Sequence, residues 1–511
     1  MRILIVHPGY SLPRHFNYHE LIVSLLKETY SAEIDVLACD KSVKACSFRS
    51  SLGASTNDRF ELIGGWRGCW RCQRKHNKRT KGFCDRSISV AKHLSKQDYL
   101  EAESVANRLC GDQDIRALLS LTAHGVNIGV DVWQSIQRYL FVGTPGEIEI
   151  QKNSIIYEFI KSGVLYAAAM SRILKDGNYD YILTNETAYM EWGIASRMAL
   201  EKEVKVIHTG QDYFTEAMYK ALIISLINDK DRLSEHLYMQ KNYVVDKVFS
   251  KSDYINKFSD SGLVRLERRL GKPNPSSSVN AWFRPERKTV VVFAHLCWDA
   301  ALTYGEMLFH SFEEWLKVTY EAAVLTTDVD WIFRVHPAEV KVDLSSEVNT
   351  LLLLQSLEQQ YQPAHIRIMG GGVDVKVVDM IPYLHAGVTA LGTVAFELPS
   401  YTIPCVVATK KGYAKYDFSV SENSKDGYVD ILRTIVSLSQ PSKYQIDLAR
   451  AYADLVLSGY YLFSVESLFN EEDCNDASLD RDNLLLWSKD SDNQEHIRLS
   501  LTEKLDEYLN L

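Results

Sequence analysis

Three short stretches in the second half of the chain put chemically capable residues where a strand would give way to a helix. The first, Ala294-His295-Leu296-Cys297-Trp298-Asp299, closes the apolar run Thr289 to Ala294. Asp299 could bond a sugar or ribose hydroxyl there, orient a neighbour, or cap the next helix. The second is Arg334-Val335-His336-Pro337-Ala338-Glu339. A proline holds the residue before it out of helical geometry, so His336 stands at a strand end. From there its imidazole could give a hydrogen bond or positive charge to a leaving phosphate. The third, Ala390-Leu391-Gly392-Thr393-Val394-Ala395-Phe396-Glu397, reads as strand, tight turn and helix start. Open amides and the positive end of a helix form a phosphate cradle. Thr393 adds a hydroxyl and can cap the helix. Glu397, one turn further on, could hold ribose hydroxyls or be a solvated acid in a capping-type arrangement. Asp328-Val329-Asp330 has D-x-D spacing, but it precedes its strand, at the wrong sheet edge, and reads as a solvated turn.

The first half offers candidates for a general base at strand ends: His7, Asp40, Glu186 and Asp212. Glu186 ranks first because it follows the strand Tyr181 to Thr184 almost directly; it reads either as a base or as a helix-start acid. Cys39, Cys46, Cys69 and Cys72 are spaced C-x6-C-x22-C-x2-C, with His76 and Cys84 nearby. C-x2-C is half of a zinc site, and two further thiolates could complete a tetrahedron. A structural zinc or iron–sulfur site would staple the irregular segment 40–85; the alternative is ordinary reduced thiols in a loop. The same segment carries Arg67, Arg71, Arg74, Lys75, Lys78, Arg79 and Lys81, beside Trp66 and Trp70. Such a run could meet an anionic membrane surface, a lipid-linked acceptor or an acidic polysaccharide, or be a solvated charged loop.

Positioning such residues is work for alternating strands and helices. Residues 3–6 read as a buried parallel strand, followed by a loop, an amphipathic helix and the strand Ile34 to Cys39. That order opens a doubly wound α/β domain. Its first loop, His7-Pro8-Gly9-Tyr10-Ser11, has no GxGxxG, which argues against a dinucleotide-binding dehydrogenase. The text from Ser87 to about Arg138 reads as helical, and so does that from His208 to Leu270. The Pro- and Ser-rich stretch 271–288 reads as a linker between an acceptor-side domain, 1–270, and a second α/β domain, 289–440. A helical segment, 441–511, ends the chain.

The 511 residues are 46% hydrophobic and 24% charged, with a net charge of -9, so a soluble globular protein is expected and wholesale coating of nucleic acid is not. Nine cysteines are too few for a disulfide scaffold. No apolar run is long enough to span a bilayer, and the N-terminus reads as a strand rather than a signal. The expectation is a cytoplasmic protein, with any membrane contact peripheral and made at the inner membrane.

FAHLCWDAA, SFEEWL, FRVHPAE, TALGTVAFELPSYTIPCVVA and GYAKYDFSV together resemble bacterial capsule-polysaccharide-biosynthesis glycosyltransferases. That group has the two-domain GT-B architecture and includes Kdo- and sialic-acid-transferring relatives with a His-Pro motif. The resemblance covers about 289–420. It implies two Rossmann-like domains facing a cleft, and transfer of a sugar from a nucleotide donor held by the second domain to a saccharide or lipid-linked acceptor. On it, His336, Pro337 and Glu339 match the His-Pro element. Gly392, Thr393 and Glu397 match the nucleotide-side element, with Ala390 or Leu391 where a hydroxyl residue is usual. Beside the matched residues, Asp299, Arg334 and Tyr413 are further donor-side candidates, with Arg334 alternating with His336 along its strand and so facing either the donor or elsewhere. No cofactor is required for such catalysis, because side chains and helix dipoles answer the leaving phosphate. Two rivals remain, a nucleotide-sugar epimerase on the same scaffold and a non-catalytic scaffold subunit.

Overall fold

A computed structural model describes residues 1–7, 13–46, 66–112, 115–140, 154–211, 221–227, 249, 254–272, 277–298, 307–341, 350–409, 412–458 and 463–464. The chain divides into two compact units. The first comprises 1–140, 146–237 and 461–511, and the second 141–145 and 238–460.

The first unit is built on β1 (Arg2–Ile5), β2 (Glu33–Ala38), β3 (Arg86–Ser89), a small hairpin of β4 (Thr122–Ala123) and β5 (Val126–Asn127), then β6 (Tyr181–Thr184), β7 (Lys205–Gln211) and β8 (Ala221–Ile227). The second has β9 (Thr289–Phe293), β10 (Asp330–Arg334), β11 (Ile366–Met369), β12 (Leu384–Thr389) and β13 (Cys405–Val407), after which β14 (Phe463–Ser464) returns to the first. The large sheet runs β14-β8-β7-β6-β1-β2-β3 and the second β11-β10-β9-β12-β13. In both, the five parallel strands stand in the order third, second, first, fourth, fifth. This is the doubly wound arrangement, with its reversal between β1 and β6 in one unit and between β9 and β12 in the other.

The strand sequences account for this. β9, TVVVF, is buried at every position because helices cover both faces of its sheet. Val290 and Val292 meet Trp315, Tyr320, Trp331 and Phe333 on one side. Val291 and Phe293 meet Ile332, Met369 and Leu398 on the other, following the two-residue period of a strand.

Three readings of the sequence change. β3 and β8 fall in text that reads as helical. RSIS is a short polar edge strand with little apolar signal, and ALIISLI is a continuous apolar run that periodicity cannot assign. The stretch 271–288 is not where the chain changes unit. The helix Tyr254–Leu270 already lies along Lys443–Ser458 in the second unit, with Ser261 Oγ (2.7 Å) and Arg265 Nε (3.0 Å) both donating to Asp454 Oδ1. Asp330 is no solvated turn residue. It is fully buried at the start of β10 and takes hydrogen bonds from Arg284 (2.6 and 2.7 Å), Arg287 (2.7 Å) and Arg367 (3.0 Å). The helix read at the C-terminal end beyond 465 lies outside the described residues. Among the described residues no helix is long and apolar enough to cross a membrane.

Candidate functional site

The register of the second sheet sets Phe293 opposite both Arg334 and Thr389. The residues just beyond this row, at the carboxyl ends of β9, β10 and β12, therefore emerge together beside the reversal of strand order, where ligands of such sheets bind. They are His295, His336 and the turn Leu391-Gly392-Thr393.

His295 clasps the row. Its Nε2 accepts from the Leu391 N–H (3.1 Å) and lies 3.1 Å from Thr389 Oγ1, while its ring stacks on Phe312 at 4.5 Å. Thr389 Oγ1 in turn accepts from the Gly392 N–H (3.1 Å). A Cβ on residue 392 would stand 2.8 Å from that hydroxyl, so the close turn needs glycine. Desolvation first, then the nearby His336, bring the His295 pKa down to about 3. The ring is therefore neutral, with its basic nitrogen used inside the protein.

His336 is held by its own loop. Its Nδ1 accepts from the Ala338 N–H (3.1 Å), which puts the proton of the neutral ring on Nε2. Glu339, three residues on, serves a helix end: its Oε1 accepts from the Thr350 N–H (3.0 Å) and the Thr350 hydroxyl at the start of Thr350–Tyr361. Burial raises its pKa despite these bonds. The Thr350 hydroxyl also lies 3.2 Å from the His295 carbonyl and 3.5 Å from Cys297 Sγ, so one buried threonine joins the ends of the first and second motifs. Arg334 sends Nη2 to the Val375 carbonyl (2.6 Å), and burial pushes its guanidinium below its ordinary value. Among the described residues no carboxylate pairs with it.

The third motif forms the helix Val394–Ser400 as read. Two of the turn's amides, those of Leu391 and Gly392, are spent on His295 and Thr389, which narrows the cradle to the residues beyond Gly392. Thr393 does not cap the helix with its side chain. Its hydroxyl instead bonds Glu397, which is buried rather than solvated; burial raises the Glu397 pKa, with Thr393 and Arg269 opposing. Asp299 lies outside the described residues, and so does the side chain of Tyr413 in Gly412–Lys415.

In the first unit Glu186 Oε1 accepts from the N–H groups of Thr187 (2.9 Å) and Ala188 (3.2 Å), the geometry of a helix-start acid. For Asp40 burial pushes the pKa up, but bonds from Ser89, Ala91 and Ser42 outweigh it and hold the carboxyl below its usual range. His7 is buried at the end of β1, and its Nδ1 lies 3.1 Å from Asn185 Oδ1. An amide oxygen only accepts, so that nitrogen carries the proton and Nε2 is the basic one. Asp212 lies outside the described residues.

Among the described residues Cys39, Cys46, Cys69 and Cys72 form no disulfide and are partly exposed, and Cys69 and Cys72 sit in the helix Trp66–Thr80. The Cys39 sulfur is largely out of water, which pushes its thiol up to about 12, with Cys72 and Cys69 close enough to add to the shift. Among the described residues no group of three His, Cys, Asp or Glu side chains is placed to hold a metal ion. His295, Thr350 and Thr389 escape sequence reasoning, which names His7 as a strand-end candidate but not its bond to Asn185. The available signal for His295 was position, because it follows the first strand of its sheet, as His7 does.

No family model matches the chain, and no curated protein matches it. Solved structures that resemble it include Thermosulfurimonas dismutans KpsC, beta Kdo 2,7 transferase, at 14% identity and TM-score 0.34, covering 55% of this chain and 79% of that one. Another is T. dismutans KpsC, beta Kdo 2,4 transferase, at 12% and 0.34, covering 53% and 79%. A third is the UDP-GlcNAc 2-epimerase of Methanocaldococcus jannaschii, at 10% and 0.28, covering 89% and 99%. Scores this low carry no argument about chemistry.

Proposed function

We propose that this chain is a GT-B-type glycosyltransferase that moves a sugar from a nucleotide-activated donor to a surface-polysaccharide acceptor. The observation that carries the reading is the state of His336. With Nδ1 accepting from Ala338, the proton of the neutral ring is on Nε2, at the carboxyl end of β10 beside the reversal of strand order. A hydrogen-bond donor fixed there meets charge as it develops on a departing phosphate. Arg334, two residues earlier, adds a guanidinium that no carboxylate among the described residues neutralises. The turn after Gly392 faces the same ligand, Thr393 contacts it, and Glu397 orients Thr393.

In the reaction the bond from the anomeric carbon to the phosphate oxygen breaks, and an acceptor hydroxyl forms the new bond at that carbon. If the reaction inverts, the hydroxyl proton passes to a general base. Glu186 is the candidate read from sequence. Sequence resemblance over 289–420 supports the donor assignment.

A melting-temperature panel of CMP-, UDP-, GDP- and dTDP-sugars tests the donor site, since a ligand that binds only the folded state raises the midpoint. One nucleotide class should raise it, and His336→Ala should weaken that response. A panel with no response rejects the reading.

A further inference from the structure

The helix Trp66–Thr80 has two faces of unlike chemistry and no aliphatic side chain on either. One face is hooked to the strand ends of the first sheet. Gln73 Nε2 donates to the Cys39 carbonyl at 2.9 Å, and His76 Nε2 bonds the His7 carbonyl at 2.8 Å. His76 and Thr80 are buried along this stripe, with Cys69 and Cys72 partly so. The other face is cationic. Arg74, Lys75 and Lys78 are exposed, as is Lys81 just past the helix end. Arg67 and Arg71 precede Arg74 and Lys78 at the spacing of a single helical face.

The helix supplies no counter-charge of its own. No acidic residue occurs between Glu61 and Asp85, and Asp85 is engaged by Lys27 at 2.8 Å. By comparison, Arg172 is tied to Asp98 and Arg197 to Asp131. Arg74 instead lies 5.4 Å over the ring of Trp70, an indole left 48% exposed. In a chain of net charge -9 such a patch is a local reversal of sign.

We propose that this helix is a docking surface for an anionic phospholipid membrane. Clustered cations on one helical face are drawn to acidic headgroups, and an exposed indole settles at the headgroup level. The exposed Trp70 indole beside these cations favours a headgroup interface over a cleft that would grip a polymer chain. Docked this way, the helix lies between the membrane and the carboxyl ends of β1 and β2. Resting on the glycosyltransferase reading, that arrangement makes the acceptor a saccharide carried on a lipid.

Flotation of the full chain with vesicles tests this, and no donor or acceptor is needed, so its outcome is separate from that of the transferase reading. The protein should float with phosphatidylglycerol-containing vesicles and not with pure phosphatidylcholine, and about 0.5 M salt should release it. Arg74→Gln, Lys75→Gln and Lys78→Gln together should weaken partition roughly a hundredfold at low salt, and Trp70→Ala several-fold. These side chains are exposed, so circular dichroism and the melting temperature should be unchanged. Failure to float with acidic vesicles overturns the proposal, as does a triple variant that floats like the parent. Retention on a soluble anionic polysaccharide without flotation also overturns it, in favour of a polymer partner.

Discussion

His336 and His295 stand at neighbouring strand ends, and the hydrogen bonds each makes give them opposite jobs. His336 accepts at Nδ1 and so presents a donor, whereas His295 spends its basic Nε2 on the Leu391 amide. His336→Ala should therefore lower turnover about a hundredfold to a thousandfold, the cost of one lost donor to developing charge, and leave the melting temperature unchanged. Steady-state rates and calorimetry on the same samples check this. The His295 clasp is an acid-labile part of the fold. Its pKa is about 3 when folded and near 6.5 when unfolded, so the unfolded chain binds the extra proton between those values. Stability from this group is full above about pH 6.5 and falls as pH drops toward 3, by up to about 1.4 kcal/mol per pH unit. Denaturant unfolding from pH 7 to 4 should show that slope, and His295→Gln should flatten it. His336 was legible in the sequence because a strand and a proline announce it. His295 was not, because its partners at 389 and 391 come from a strand far along the chain.

Elements were legible where their periodicity was plain. TVVVF, the strand–turn–helix around Gly392 and the αβαβ run of the first unit stand as read. The segment 40–85 lacks that signal. The inward stripe of Trp66–Thr80 is Cys, Gln, His and Thr, which no hydrophobic pattern reveals, and its hydrogen bonds to strand-end carbonyls replace apolar packing. The contact between Tyr254–Leu270 and Lys443–Ser458 was equally hidden, since it depends on two helices meeting backbone to backbone. A Cβ on residue 262 would lie 1.8 Å from the Arg450 carbonyl oxygen. Gly262→Ala should thus destabilise the second unit by about 1–3 kcal/mol through forced separation of the helices, despite alanine's better helix propensity. Urea unfolding measures it.

At the level of the whole molecule, two doubly wound sheets were foreseen from the repeat of strand and helix text, but their shared strand order and the point of crossing were not. Proline and serine at 271–288 mark a surface loop, whereas the packing of Tyr254–Leu270 decides membership. A fragment of 238–460 should melt cooperatively, and one that begins at 271 should not, because it uncovers Lys443–Ser458; circular dichroism melts compare them. The central claim is that this scaffold cleaves a nucleotide-sugar bond only when an acceptor is there to receive the sugar. The most direct measurement tracks the donor by NMR with and without a capsule-type acceptor glycan. The account predicts release of nucleotide together with a lengthened glycan in its presence, and an intact donor without it. Conversion of the donor to an isomeric nucleotide sugar in the absence of acceptor would contradict it.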